Sequence, residues 1–445
     1  MTQAIATIDR YLDDFRALEA SLAGEPEWLR ALRDRAWSRF AEIGFPTARR
    51  GNEPWKYTNA GPIAQAAFAH RLDGAGALAF RDARRIAPWD DAWPRLVFVN
   101  GRYDEALSSP PEGVQAMSLA RALREDGALV EAHLARQTPP DEADGFVALN
   151  TAFLRDGAFV HVPAGVELDA PLHLLFLTTD EGQPAVSYPR VLVVAAPNSA
   201  ATIIESYAGP AGARYLTDAV TEMTLEDGAR IDHYRLLLEG GDSYHVGTSR
   251  VYQGQDSSFS SAAFELGNAI GRADLRVTLD APGGECHLNG LYITKDRQHI
   301  DNYINIDHAK PNGASRLYYK GILDGHSRAV FGGTVLVRPG AMKTDSYQED
   351  KNLVLSENAE VDSKPSLEIY ADDVKCGHGA TAGAFTEDAM FYMRSRGLDV
   401  EAATQLLIRG FAGEILDRVA VASLRTYLEG LTAETLRGVT LGAAA

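Results

Sequence analysis

Cys376 and His378 stand two residues apart within residues 367–381, LEIYADDVKCGHGAT, where chemistry is most concentrated in this chain. In extended backbone, positions two apart project to the same side, so a thiolate and an imidazole would face one ion together. Two such ligands do not hold a metal alone, because tetrahedral sites take three or four protein groups, so any metal bound here needs ligands from elsewhere. Gly377 and Gly379 flank the histidine and leave its backbone open to close approach. Thiolate is the iron ligand, and Lys375 would lower the pKa of an exposed Cys376. The competing readings are structural: a lone histidine near a strand end is more often a hydrogen-bonded framework residue, and free cysteine is among the most commonly buried types.

Other reactive groups are sparse. Cys286, the second of two cysteines, sits in GGECHLNG beside His287. Adjacent strand residues face opposite sides, which makes that pair a poor chelator and points to packing. Asp372, Asp373 and Glu368 form an acid cluster of the kind a polysaccharide-cleaving enzyme would use, but Asp372 and Asp373 cannot point the same way in a strand, and carboxylates near turns commonly cap backbone N–H groups. There is no GxxxxGK[ST] phosphate loop, GxSxG elbow or HExxH pair, so no nucleotide is expected to bind this chain and any ATP hydrolysis belongs to a partner.

The elements that must position these residues fall into three stretches: 1–145, helical and mixed; 146–385, strands and turns; 386–445, helical. Ile5, Ile8, Leu12, Phe15 and Leu18, then Leu29, Leu32, Ala36, Phe40 and Ile43, follow helical spacing and predict two amphipathic helices in a hairpin, punctuated by Gly24, Pro26, Gly44 and Pro46. A strand is expected over 96–103 and a helix over 119–134. Beyond Phe146, short β-branched runs such as VLVVAA, ATIIESY and TVLVR alternate with corners such as PNSA, EDGA, PGGE and PNGA. Corner positions Ala200, Ala229, Ser258, Glu285, Ala314 and Ala341 recur at steps of 29, 29, 27, 29 and 27 residues, the period of stacked coils. Alternation of apolar residues after each corner is ragged at Ile231, His233 and Arg235, and clearer at Leu317, Tyr319 and Gly321 or Val330, Gly332 and Thr334. The fold alternative is a β-sandwich, which normally shows turns every 8–12 residues and no longer period. Towards the C-terminus, Ala403, Leu407, Phe411, Ile415 and Val419 fall at four-residue steps, widened by Leu406 and Leu416, in a helix interrupted by Gly410 and Gly413 whose presence suggests close packing against another surface.

Length and composition set the frame. At 445 residues the chain should divide into two or three units, and 45% hydrophobic residues is globular. A net charge of −18 opposes attraction to nucleic acid or to an anionic membrane surface, and no run of about 18 apolar residues predicts a membrane span. The first fifteen residues lack a basic leader and an apolar core, which predicts a cytoplasmic protein.

Residues 367–381, together with KTD at 343–345, EVDSKP at 360–365, FYMRSRG at 391–397 and EPWKYTN at 53–59, resemble the SufD family, the cysteine-poor subunits of SufB–SufC–SufD iron–sulfur assembly complexes. The resemblance runs from about residue 53 to the C-terminal region and is densest over 314–397. It implies a mainly β fold with a right-handed parallel β-helix core flanked by helical regions, and a non-catalytic scaffold partnered by SufB and the SufC ATPase. It further implies that His378 assists formation of a transient iron–sulfur cluster, as a ligand or helper at the SufB interface opposite a SufB cysteine. Cys376 is the weaker candidate. The terminal helical region would dock SufC, with Leu406, Leu407, Phe411 and Ile415 as the candidate contacts; whether the isolated chain forms a homodimer through the surface meant for SufB is left open by the sequence. Gly377 stands where serine is frequent in the family. SufB itself is a near alternative, disfavoured by the two cysteines; a carbohydrate-active β-helix enzyme is the alternative from another class.

Overall fold

A column of left-handed residues marks one corner of the coiled part of the chain. In the computed structural model, which describes residues 2–437 apart from 23, 50, 67, 71–79 and 180–181, Gly165, Asn198, Gly228, Asp256, Gly283, Asn312, Lys343 and Asp373 all have φ between 50° and 79°. Glycine, asparagine and aspartate tolerate that region best. The column is a hydrogen-bonded ladder: the N–H of Gly228 donates to Gln255, that of Asp256 to Pro282, that of Asn312 to Met342 and that of Lys343 to Asp373. At Gly283 a Cβ would stand 2.0 Å from Asp256 Oδ1, so the stacking of neighbouring corners requires glycine there as well as the dihedral.

Each circuit contributes one strand to each of two sheets. One runs through Gly157–Val162, Arg190–Ala195, Tyr215–Leu225, Tyr244–Gln253, Ile270–Leu279, His299–His308, Arg328–Val337 and Glu360–Ile369; the other runs through Leu172–Leu177, Ala200–Ala208, Arg230–Leu238, Ser258–Glu265, Glu285–Thr294, Ala314–Leu323, Asp345–Val354 and Lys375–Gly383. All these pairings are parallel, as in Ala314↔Asp345↔Lys375. The result is a parallel β-solenoid, mainly β, with helices at both ends of the chain. Five of the six expected corners lie at or one residue before a strand of the second sheet. Ala341 lies four residues before Asp345–Val354, because residues 338–344 make a longer corner.

The inside of the coil explains the ragged alternation. Ile231 packs in the lumen core, and the inward positions that follow it are His233 and Arg235, both buried. Polar residues therefore occupy buried positions that a hydrophobic pattern cannot mark. Leu317 and Tyr319 face the lumen as expected, but at the next strand of the opposite sheet the face is shifted by one. Ala329, Phe331 and Val335 are the core residues of Arg328–Val337, which places Val330, Gly332 and Thr334 outside. A one-residue slip exchanges the faces of a whole strand.

The N-terminal helices Thr2–Ser21 and Glu27–Ile43 pack together through Tyr11 against Phe40 and Phe15 stacked on Trp37 at 4.8 Å. The side chains of Ile5 and Ile8 lie outside the described residues. Leu29, Ala36 and Phe40 are buried as the spacing predicts, whereas Ile43 is exposed. The stretch 96–103 is a hairpin, Arg95–Val99 and Arg102–Tyr103, turning on Asn100 and Gly101 with φ 51° and 77°, the Asn-Gly chemistry of a tight primed turn. The helix expected over 119–134 is two helices, Leu119–Glu125 and Gly127–His133, parted at Asp126 with φ −130°.

At the other end, Val400–Leu416 and Ala422–Thr435 lie on the outer face of the second sheet, where Ile408, Ala412, Ile415, Leu416, Leu424 and Leu428 join Leu236, Phe264, Leu291 and Ile322 in one core. The helix runs unbroken through Gly410 and Gly413, and a Cβ at either would meet nothing within 4 Å, so the expected close packing at these glycines does not occur within the chain.

Candidate functional site

The last coil of the solenoid carries Cys376 and His378. Lys375–Gly383 pairs with Asp345–Val354 along one edge, with Ser346↔Cys376 and Gln348↔His378 in register. Ser346 and Gln348 are buried, and the same alternation places Cys376 and His378 on the lumen side of the final strand. Among the described residues no further coil covers that strand, so His378 is exposed where Gln348 is not. The neighbouring strand Glu360–Ile369 is bare in the same way, with no fully buried residue. The two candidate residues thus share one face at the open mouth of the coil.

Their environments differ. Cys376 is half-buried against the lumen core, and burial pushes its thiol up, not down. Lys375 is exposed on the opposite side of the strand and does not supply the activation expected of it. Gly377 and Gly379 point outwards beside Tyr347, and added Cβ atoms there would make only ordinary contacts with that ring at 3.4 and 3.6 Å. No group of three or more His, Cys, Asp or Glu side chains among the described residues is arranged to hold a metal.

Cys286 is fully buried, its thiol also pushed up by burial, while His287 projects outwards. Asp373 belongs to the corner column: it is left-handed, accepts the N–H of Lys343 through its carbonyl, and pairs its carboxylate with the Lys343 ammonium. Lys343 and Asp345 of the KTD segment are therefore corner residues too, Asp345 pairing with Arg316 at 2.9 Å. These contacts give Asp373 a framework role.

Residues 53–59 do structural work that sequence reasoning left unassigned. Trp55 is buried, stacked on Phe146 at 5.3 Å, with the Arg272 guanidinium 4.2 Å from the centre of its ring. Thr58 is buried between the solenoid strands' outer groups: its hydroxyl donates to Asp301 and lies 2.9 Å from His299 Nε2, while Arg272 also pairs with Asp301. Glu53 reaches Lys364 on the last coil at 2.7 Å. The segment clasps the N-terminal region to the solenoid. The alternation of Arg272 and Asp274 with the apolar lumen residues was the available signal.

The C-terminal candidates divide. Ile415 is fully buried in the interface with the solenoid, which removes it from any external contact surface. Phe411 is half-buried under Lys320, whose Nζ lies 4.1 Å from the ring centre. Leu407 is half-buried and Leu406 is 50% exposed. The preceding helix, Glu387–Ser395, buries no residue and exposes Phe391 at 73% and Tyr392 at 55%. No described helix is long and apolar enough to cross a membrane.

The fold and the site define a class: a parallel β-solenoid with helical ends, whose last coil is open and presents a histidine at its mouth. Family models match on both sides of this architecture, the SUF system FeS cluster assembly SufBD core domain over residues 176–411 and the SufBD protein N-terminal region over residues 5–174. The chain belongs to the SufBD family of iron–sulfur cluster assembly proteins. It is 37% identical over 345 residues to a SufBD family protein of Synechocystis sp., covering 75% of this chain and 76% of the relative. It is 31% identical over 399 residues to the iron–sulfur cluster assembly protein SufD of Escherichia coli, covering 89% and 90%, and 23% identical over 416 residues to SufD of Bacillus subtilis, covering 91% and 93%.

Proposed function

We propose that this chain is the SufD-type scaffold subunit of a SufB–SufC–SufD assembly, and that an iron–sulfur cluster is built as cargo where its last coil meets SufB. The observation that carries this reading is the bare final coil. A strand edge with unpaired N–H and C=O groups is a template for strand addition from another chain, and two such edges lie side by side here. His378, exposed at their mouth, offers an imidazole to a ligand held mainly by partner cysteines. Cys376, with its thiol pushed up by burial, is a poor thiolate and the lesser contributor.

The chain acts without turnover of its own and binds no nucleotide in this role, so ATP-driven movement comes from SufC. Leu406, Leu407 and the open side of Phe411, with the neighbouring Phe391 and Tyr392, are the apolar groups on the terminal helices still available to it. The complex works in the cytoplasm. Without SufB, the same bare coil supports association with a second copy of the chain.

The test is co-expression with SufB and SufC followed by anaerobic reconstitution of wild type and His378→Ala. An intact complex with depleted iron and sulfide supports a role for His378 in cluster assembly. Normal cluster content in the variant leaves this chain an architectural part alone.

A further inference from the structure

A cleft of about 640 Å³ opens between residues 39–49 and 51–55, residues 137–147 and the outer face of the first solenoid sheet, far in sequence from the last coil. That volume is in the range of small-molecule and cofactor sites. Its solenoid wall carries Arg250 and Arg276, directly opposed in register on neighbouring strands, and its other wall carries Arg39 and Arg49. Like charges opposed across strands are destabilising, so the arrangement needs a reason.

Part of the charge is neutralised internally. Arg250 lies 2.6 Å from Asp274. Burial opposes ionisation of Asp274, but Arg250 and Arg272 overcome it and hold the carboxyl below its usual range. One carboxylate is thus shared between two close guanidiniums, with Arg276 acting on it more weakly from further off. Arg39 is loosely engaged, 3.3 Å from the Ala143 carbonyl and 3.4 Å from Glu42. Arg49 and Arg276 are exposed and make no ion pair or side-chain hydrogen bond among the described residues. Two carboxylates offset the four guanidiniums in the lining, Glu142 and Asp274; a third, Asp144, is spent capping the N–H groups of Phe146 and Val147. A concave site lined by four arginines, two of them without an ion pair, in a chain of net charge −18, stands out from the rest of the surface as one that favours anions.

We propose that this cleft binds a small molecule through a diphosphate group, with Arg276 and Arg49 reaching it from opposite walls and Arg39 assisting. The planar guanidinium matches phosphate oxygens two at a time, and two arginines without an ion pair, one on each wall of the cleft, suit two linked phosphates better than one. The site is separate from the cluster-assembly reading above and stands or falls independently of it.

Titration calorimetry of the full chain at fixed ionic strength, with inorganic pyrophosphate and in a second arm with ADP, tests this. Saturable binding is expected. Arg276→Gln and Arg49→Gln should each weaken it by about tenfold, the size of one lost charge-assisted contact, while Arg297→Gln, an exposed arginine on a distant turn, leaves it unchanged. Tighter binding of ADP than of pyrophosphate assigns a nucleotide-type ligand, and equal binding assigns the diphosphate itself. Without ligand, Arg276→Gln should melt at the same temperature as wild type or higher, because it relieves the clash with Arg250. Absence of saturable binding in both arms, equal heat from sulfate, or wild-type affinity in Arg276→Gln would overturn the proposal, and a lowered ligand-free melting temperature would make Arg276 structural instead.

Discussion

The two ends of the solenoid solve the same problem differently. A stack of parallel strands must end with unpaired edges. At the first end the chain covers its own: Gly157–Val162 is capped by Gln115–Ser118, and Leu172–Leu177 by the hairpin Arg95–Val99 and Arg102–Tyr103. Leu172–Leu177 is buried at every residue. At the last end Glu360–Ile369 and Lys375–Gly383 have no such cover among the described residues, and exposure runs along both. One end therefore closes its edges from within, and the other leaves its edges exposed among the described residues, which in the proposed assembly another molecule would cover.

The contrast predicts unequal sensitivity to the same kind of substitution. Phe98 is fully buried in the closing hairpin, stacked on Phe176 at 4.9 Å, and Phe98→Ala should cost about 3–5 kcal/mol in chemical denaturation. Val361 faces the lumen from the open coil but is only half-buried, and Val361→Ala should cost less than about 1 kcal/mol. Equal losses would mean that the open end is covered in solution.

Titration distinguishes the regions as well. Glu265 lies deep in the coil, where burial raises its carboxyl from an ordinary 4.5 to about 7, with Asn302 donating to it at 3.0 Å. Asp350, one strand from the open end, is raised by burial from 3.8 to about 6. A carboxyl raised on folding favours the protonated native state, so its contribution is present at low pH and is lost as pH rises, between about 4.5 and 7 for Glu265. The loss is on the order of 3 kcal/mol across that interval. Glu265→Gln should flatten that part of the stability profile, and Asp350→Asn should flatten a window shifted to lower pH. An unchanged profile in Glu265→Gln would show that water or a counter-charge relieves the site.

These buried carboxyls also explain how much of the molecule was legible in the sequence. The coil period was readable because left-handed corners impose local chemistry, seen in Asn198, Asp256, Gly283 and Asn312. The inward face was not, because His233, Arg235, Glu265 and Asp350 occupy buried positions and break apolar alternation. The C-terminal stripe was legible in part: Ala403, Ile415, Leu416 and Val419 are buried as its spacing implies. Steps of four residues overshoot a 3.6-residue turn, so Leu407 and Phe411 lie at the margin, and Ile408 and Ala412, outside the four-residue series, complete the buried face. His378 was singled out through its motif, and the structure adds only why it stands open: its register partner Gln348 is covered by a coil that His378 lacks among the described residues.

The clasp at residues 53–59 joins the N-terminal region to coils on the way to the open end, and it should matter less than the closing hairpin. Thr58→Val keeps the shape but removes the hydroxyl from Asp301 and His299, leaving buried polar groups short of a partner, at a cost of about 1–3 kcal/mol. A neutral result would show that Arg272 alone satisfies Asp301.

The smallest expected effect on folding tests the meaning of the open end most directly. Ala382 is exposed on the final strand, in register with Asn352. A lysine there can extend its ammonium into water, so Ala382→Lys should change stability by less than about 1 kcal/mol. Charge on an edge strand nevertheless opposes strand addition. If the bare coil is the docking edge, this variant folds normally but fails to co-purify with SufB or to self-associate when alone, whereas His378→Ala associates normally and loses cluster. Normal association of Ala382→Lys would move the contact away from the final strand and leave the exposed terminal helices as the place to look.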